Sequence, residues 1–137
     1  MGSGSSRSYA DIDFLTESDD VKVIDWLIYK TTNEKPDAYR QRQLIKEMLH
    51  KLAGIYAEDE RMIANRTVQT AEMLREHGLD FSLPDFLRSF ITIPAEGSMT
   101  VFGSYCQHYY YLRMSNLSHT QAIEYMVSEH SQSIRKE

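Results

Sequence analysis

Phe102, Tyr105, His108, Tyr109, Tyr110 and Tyr111 make up the densest ring-bearing run in the chain. They are the residues through which it would bind a partner. Consecutive helical residues are separated by about 100°, so Tyr109, Tyr110 and Tyr111 cannot all enter one core, and at least one ring faces solvent or a partner. Tyr105, His108, Tyr109 and Leu112 share a face at i, i+3, i+4, i+7 spacing. Two readings stay open. In one, Phe102, Tyr105, Tyr109 and Leu112 are core and Tyr110 lies at its rim. In the other, the run is a partner-binding surface, because rigid amphipathic tyrosine rings are favoured at interfaces.

Catalytic chemistry finds less support. Cys106 is the lone cysteine, and His108 stands two residues on, about 200° around a helix, so the two cannot form a hydrogen-bonded dyad. A reactive thiol would have to borrow its base from His50, His77, His119 or His130. A buried, inert cysteine is the simpler reading. No C-x-x-C or H-x-x-x-H pair is present. Glu47 and His50 form a single E-x-x-H unit where a di-iron bundle needs two, and Glu76-His77 and Glu129-His130 have the wrong spacing for another. Gly54, Gly78, Gly97 and Gly103 lie too far apart for a phosphate-cradling loop, and no G-x-S-x-G elbow occurs. The sequence therefore predicts a non-enzymatic protein with no metal and no cofactor.

One segment, Val101-Phe102-Gly103 through Leu112-Arg113 to Asn116-Leu117-Ser118-His119-Thr120-Gln121-Ala122, resembles the first two helices of the phage-repressor helix-turn-helix, in which a short Leu-Ser-x-x-x-Ala entry opens the second helix. The resemblance covers under a quarter of the chain. It implies a small DNA-binding regulator using its C-terminal helices, with a recognition helix to follow. Met126-Val127-Ser128-Glu129-His130 departs from that pattern, having no turn glycine and carrying an acid. A second basic cluster, Lys35, Arg40, Arg42, Lys46 and Lys51, reads as solvated helix surface or as a contact for an acidic partner or a phosphate backbone. The net charge of −5 opposes nucleic acid overall.

These residues need helices to position them, and helix signals dominate. Over Ser18–Thr31, Ser18 can cap, Asp19 and Asp20 suit the positive end of the dipole, and Val21, Ile24, Leu27 and Ile28 recur at helical spacing, with a stop at Thr32-Asn33. Pro36 suits the first turn of a second helix. Its stripe of Leu44, Ile45, Met48, Leu49, Leu52, Ile55 and Tyr56 is the cleanest in the chain. Residues 37–77 are one long helix or two, with Asp59 a plausible cap after a break near Glu58. A weaker stripe through Met62, Ile63, Met73 and Leu74 runs to a stop at His77-Gly78. Ser82, Pro84 and Asp85 open a short helix carrying Phe86, Leu87, Phe90 and Ile91, which Pro94 and Gly97 end. Ser98 then caps a helix through Met114. Ser118-x-x-Gln121 forms a capping box for a last helix that turns Ala122, Ile123, Met126 and Val127 inward. No alternating strand pattern or Asn-Gly hairpin signal appears. The fold class expected is an all-α compact bundle of about five to six helices with no significant β-sheet.

The 137 residues suffice for one modest core. Residues 1–8 read as a disordered Gly/Ser leader and 9–137 as a single helical domain, either complete or one piece of a larger protein. No run of about 18 apolar residues is available to span a bilayer, so a membrane partner is not expected. The single cysteine agrees with a reducing compartment, and the cytoplasm is the location expected. Asn65-Arg66-Thr67 and Asn116-Leu117-Ser118 match the glycosylation triplet but, without a secretion signal, read as chance. The function expected is a helical protein–protein interaction module, with a protein partner or a second copy as ligand.

Overall fold

Over residues 8–95 and 101–135, which the computed structural model describes, the chain forms six α-helices: α1 (Val23–Thr32), α2 (Arg42–Tyr56), α3 (Glu60–Glu76), α4 (Leu83–Thr92), α5 (Val101–Met114) and α6 (His119–Arg135). No strand occurs among the described residues, which agrees with the all-α expectation. The predicted stop at Gly97 and cap at Ser98, like most of the leader, lie outside the described residues. Ser8 is described, and its hydroxyl accepts the Ala10 N–H at the start of a 3-10 turn over Tyr9–Asp11.

The helix ends show why the chain breaks where it does. Ala57 adopts a left-handed conformation (φ 54°) after α2, and the Asp59 carboxylate accepts the Met62 N–H at 2.8 Å, so residues 37–77 hold two helices separated at Ala57–Asp59. Gly78, at φ 73°, follows α3 in a conformation that glycine adopts without penalty. The capping box at α6 is complete, with Ser118 N–H donating to Gln121 Oε1 (2.9 Å) and Gln121 N–H donating to Ser118 Oγ (3.2 Å). Two predicted starts are displaced. Ser18 does not cap α1; the Asp19 carboxylate instead accepts the Thr16 N–H (2.7 Å) and hydroxyl (3.0 Å), closing a separate turn, and the helix begins after an extended Lys22. Pro36 opens a 3-10 turn, Pro36–Ala38, and an extended Tyr39 separates that turn from α2.

At the centre lies α3, packed against α1, α2 and α5. It buries Ile63, Ala64, Asn65, Thr67, Val68, Thr70, Ala71 and Leu74, mostly short side chains that let neighbouring helices approach closely. The Thr67 and Thr70 hydroxyls donate to the carbonyls one turn back, of Ile63 and Arg66, so neither is buried without a partner. The N-terminal segment is fastened to this helix by Asn65, whose amide oxygen accepts the Leu15 N–H (2.7 Å) while its amide nitrogen donates to the Leu15 carbonyl (2.9 Å). Ile12 and Leu15 are thereby buried, and the Ile12 carbonyl accepts the indole N–H of the buried Trp26. Asn65, buried and doubly bonded, has no room for a glycan. At the C-terminal end of α1, where the dipole is negative, the Arg75 guanidinium donates to the Lys30 and Thr31 carbonyls.

Candidate functional site

The aromatic run divides sharply once folded. Phe102, Tyr105 and Tyr109 are buried, as is Leu112. Phe102 packs edge-on against Tyr56 (5.0 Å between ring centres) and Phe90 (5.7 Å), and Tyr109 against Phe86 (5.4 Å) and Phe90 (5.7 Å). The Tyr105 hydroxyl donates to the Pro94 carbonyl. Phe102 and Tyr109 pack onto α4, and Tyr105 meets Tyr56 of α2 edge-on, so all three are corrected from the partner-binding set to the core. His108 and Tyr110 are half-buried, the latter beside His77, and Tyr111 is 66% exposed. Tyr125 on α6 (49% exposed), which the sequence did not single out, sets its ring edge-on to His108 at 6.0 Å. Met114 (39% exposed) lies one turn beyond Tyr111. The outer side of α5 and α6 thus carries Tyr125, His108, Tyr111 and Met114 in succession.

Beneath that surface runs a polar chain with no counterpart in the sequence reading. Buried Arg113 donates to Asp80 Oδ1 (2.7 Å) and to the Tyr109 hydroxyl (2.9 Å); that hydroxyl meets His119 Nδ1 at 2.7 Å, and His119 Nε2 meets Ser89 Oγ at 3.0 Å. The guanidinium has no acceptor, so the Tyr109 oxygen accepts from Arg113, and the Tyr109 hydroxyl and His119 Nδ1 share one hydrogen across their contact. With the Tyr109 hydroxyl as donor to Nδ1, His119 Nε2 donates to Ser89; in the other tautomer Nε2 accepts from the Ser89 hydroxyl. Burial lowers the His119 pKa, which keeps the ring neutral, and burial likewise raises that of Tyr109.

Between α3 and α5 opens a cleft of about 360 Å³, lined in part by Arg66, Glu72, Glu76, Cys106 and Gln107. The Arg66 guanidinium crosses α5 at Gly103, where a Cβ would stand 3.3 Å from its Nε. Cys106 is buried at this cleft. Its thiol pKa is pushed up to about 12, chiefly by desolvation, against the smaller opposing effects of the Thr70 hydrogen bond and the Arg66 charge. At neutral pH the sulfur stays protonated and is a poor nucleophile. Of its candidate bases, His50 pairs with Glu60 and His119 is committed to Tyr109 and Ser89. The basic cluster also loses a member, because Arg42 holds the buried Asp25 carboxylate at 2.8 Å.

A third feature lies on the outer flank. His108 on α5 and Glu129 and His130 on α6 bring one donor atom each within 4.8 Å of one another, with His108 Nδ1 3.7 Å from Glu129 Oε1. A search for i, i+4 pairs misses such a group, since its members stand on two helices. Consecutive residues Glu129 and His130 leave α6 about 100° apart, and both come within reach of His108 on the opposing helix.

Taken together, the geometry defines a helical protein with an aromatic outer face and a protonated core thiol. The sequence profile of the MoxZ family matches residues 24–131, and the chain belongs to that family. The matched stretch runs from α1 into α6, covering nearly all of the helical framework. No curated protein matches the chain. No solved structure matches it either.

Proposed function

We propose that the protein works without catalysis, as a helical module that binds another polypeptide through the outer face of α5 and α6. One observation carries this reading: of the four exposed large hydrophobic residues among those described, Phe14, Tyr111, Met114 and Tyr125, three stand on these two helices. Tyrosine and methionine combine apolar area with a polar or polarisable end, and both are enriched at the centres of protein interfaces. The acidic balance, −5 overall, sets the field against a phosphate backbone. The α6 helix continues unbroken to Arg135 where the repressor pattern requires a turn and a recognition helix. The lone buried thiol is compatible with a role in the reducing cytoplasm.

The test compares wild type with the double variant Tyr111→Ala/Tyr125→Ala, by sedimentation over a range of concentrations and by retention of polypeptides from a lysate. Both rings are largely exposed, so far-UV circular dichroism should be the same for the two proteins. Wild type should form a concentration-dependent assembly, or retain a polypeptide that binds it again in purified form, and the variant should do so at least about tenfold more weakly, the loss of one or two interface anchors. Equal behaviour of the two proteins overturns the reading. So does binding of duplex DNA by wild type that weakens steeply as salt rises.

A further inference from the structure

We propose that His108, Glu129 and His130 form a binding site for a divalent transition-metal ion of the zinc class, bridging α5 and α6. Two imidazoles and a carboxylate are a donor set that such ions accept, and three protein ligands leave a fourth position for water or another ligand. Calcium and magnesium prefer all-oxygen shells, and no thiolate is in reach to favour a softer ion. Donor atoms around a tetrahedral zinc stand about 3.3 Å apart, from metal–nitrogen distances of about 2.0–2.1 Å. The donors of this group lie within 4.8 Å of one another and one pair is already at 3.7 Å, so side-chain adjustment on the order of 1 Å closes the shell without moving a helix.

The rings are also held in place before any ion arrives. His130 lies against the ring of buried Tyr105, 4.3 Å between centres at 35°, and Tyr105 is itself anchored by its hydrogen bond to the Pro94 carbonyl. His108 has Tyr125 edge-on at 88°. The two imidazoles face each other at 76°, with centres 6.3 Å apart. Two ligands from α6 and one from α5 would fasten the outer part of α6, which packs mainly on α5 and α4. An ordinary surface ion pair between His108 and Glu129 accounts for one contact of this group. It does not account for a second imidazole with a nitrogen within 4.8 Å of both.

The full chain, treated with a chelator and dialysed, is titrated with Zn²⁺ by calorimetry and with Co²⁺ by visible absorption, which reports tetrahedral coordination. Wild type should bind one ion per chain with a higher Tm on loading. Losing an outer hydrogen-bond partner of a metal ligand already costs 10–100-fold in affinity, so His108→Ala and His130→Ala should weaken binding by at least about 100-fold. Glu129→Gln should weaken it by at least about tenfold, and the exposed His50→Ala should leave it unchanged. No saturable Zn²⁺ binding by wild type overturns the site, as does equal affinity in wild type, His108→Ala and Glu129→Gln. Should His130→Ala fail to fold because its ring supports Tyr105, Glu129→Gln decides: Glu129 lies on the surface, and its replacement leaves the packing intact.

Discussion

His119 holds its two ring nitrogens between the hydroxyls of Tyr109 and Ser89. Protonating the ring would make donors of both nitrogens, so that each hydroxyl would have to accept, and would charge a group that burial already keeps neutral. The sign of the pH effect follows. With the folded pKa below the ordinary 6.5, the unfolded chain takes up a proton at this position that the folded chain refuses. This contribution to stability is therefore complete above about pH 6.5 and is lost as the pH falls toward the folded value. Urea unfolding of wild type from pH 7.5 down to about 5 should show this loss, and His119→Gln, which cannot titrate, should lack that part of the slope. The variant should also be about 1–3 kcal/mol less stable at neutral pH, because the Tyr109 hydroxyl and Ser89 lose a buried partner. Identical pH slopes in the two proteins would remove His119 from the account. Only one link of this chain was legible in the sequence, the i, i+4 pair Tyr109 and Arg113; Asp80, Ser89 and His119 come from three other segments, and no spacing ties them to it.

Among the elements, α2 and α3 show opposite degrees of legibility. The α2 stripe of Ile45, Met48, Leu49, Leu52 and Tyr56 is visible because the helix is half-buried and needs one apolar side. The α3 helix is surrounded by neighbours, and it meets them with Ala64, Asn65, Thr67, Thr70 and Ala71 as well as with Ile63, Val68 and Leu74, so its large apolar stripe is thin. Its residues Met62 and Met73, which the sequence placed on the inner stripe, are only half-buried. Burial of polar residues requires local satisfaction of their bonds, which the Thr67 and Thr70 back-bonds provide and which periodicity does not reveal. Asn65 makes the same point with a measurable consequence, since its amide is the tie between the N-terminal segment and α3. Asn65→Ala leaves the Leu15 N–H and carbonyl without that partner in a buried setting, at about 1–3 kcal/mol for an unsatisfied group. We expect a total loss of about 2–4 kcal/mol in urea unfolding, with proteolysis appearing first on the N-terminal side of α1. A loss below about 0.5 kcal/mol, the range of an ordinary surface change, would show that the segment is held by Ile12 and Leu15 alone.

At the scale of the molecule, the apolar side chains from Ile12 to Met126 make one continuous cluster to which all six helices contribute. That outcome was readable from helical spacing, because an amphipathic helix can bury its stripe only against other elements. The assignment of rings to core or surface was not, since a run of tyrosines fixes the angles between rings without fixing which angle points inward. A continuous core has a thermodynamic consequence that two natural probes can follow. Trp26, the single tryptophan, is fully buried in α1, whereas Tyr56, Tyr105 and Tyr109 sit with Phe86, Phe90 and Phe102 between α2, α4 and α5. Phe90 touches the rings of Phe86, Phe102 and Tyr109 and lies apart from Trp26 in the sequence. Truncating it removes about 3–5 kcal/mol of packing on the tyrosine side. In one cooperative unit the denaturation midpoint of Trp26 fluorescence must move with that of the tyrosine near-UV signal, and by the same amount. Phe90→Ala should therefore shift both midpoints together. A shift in the tyrosine signal with Trp26 unmoved would mean that α3, with its short side chains, separates two cores instead of joining one.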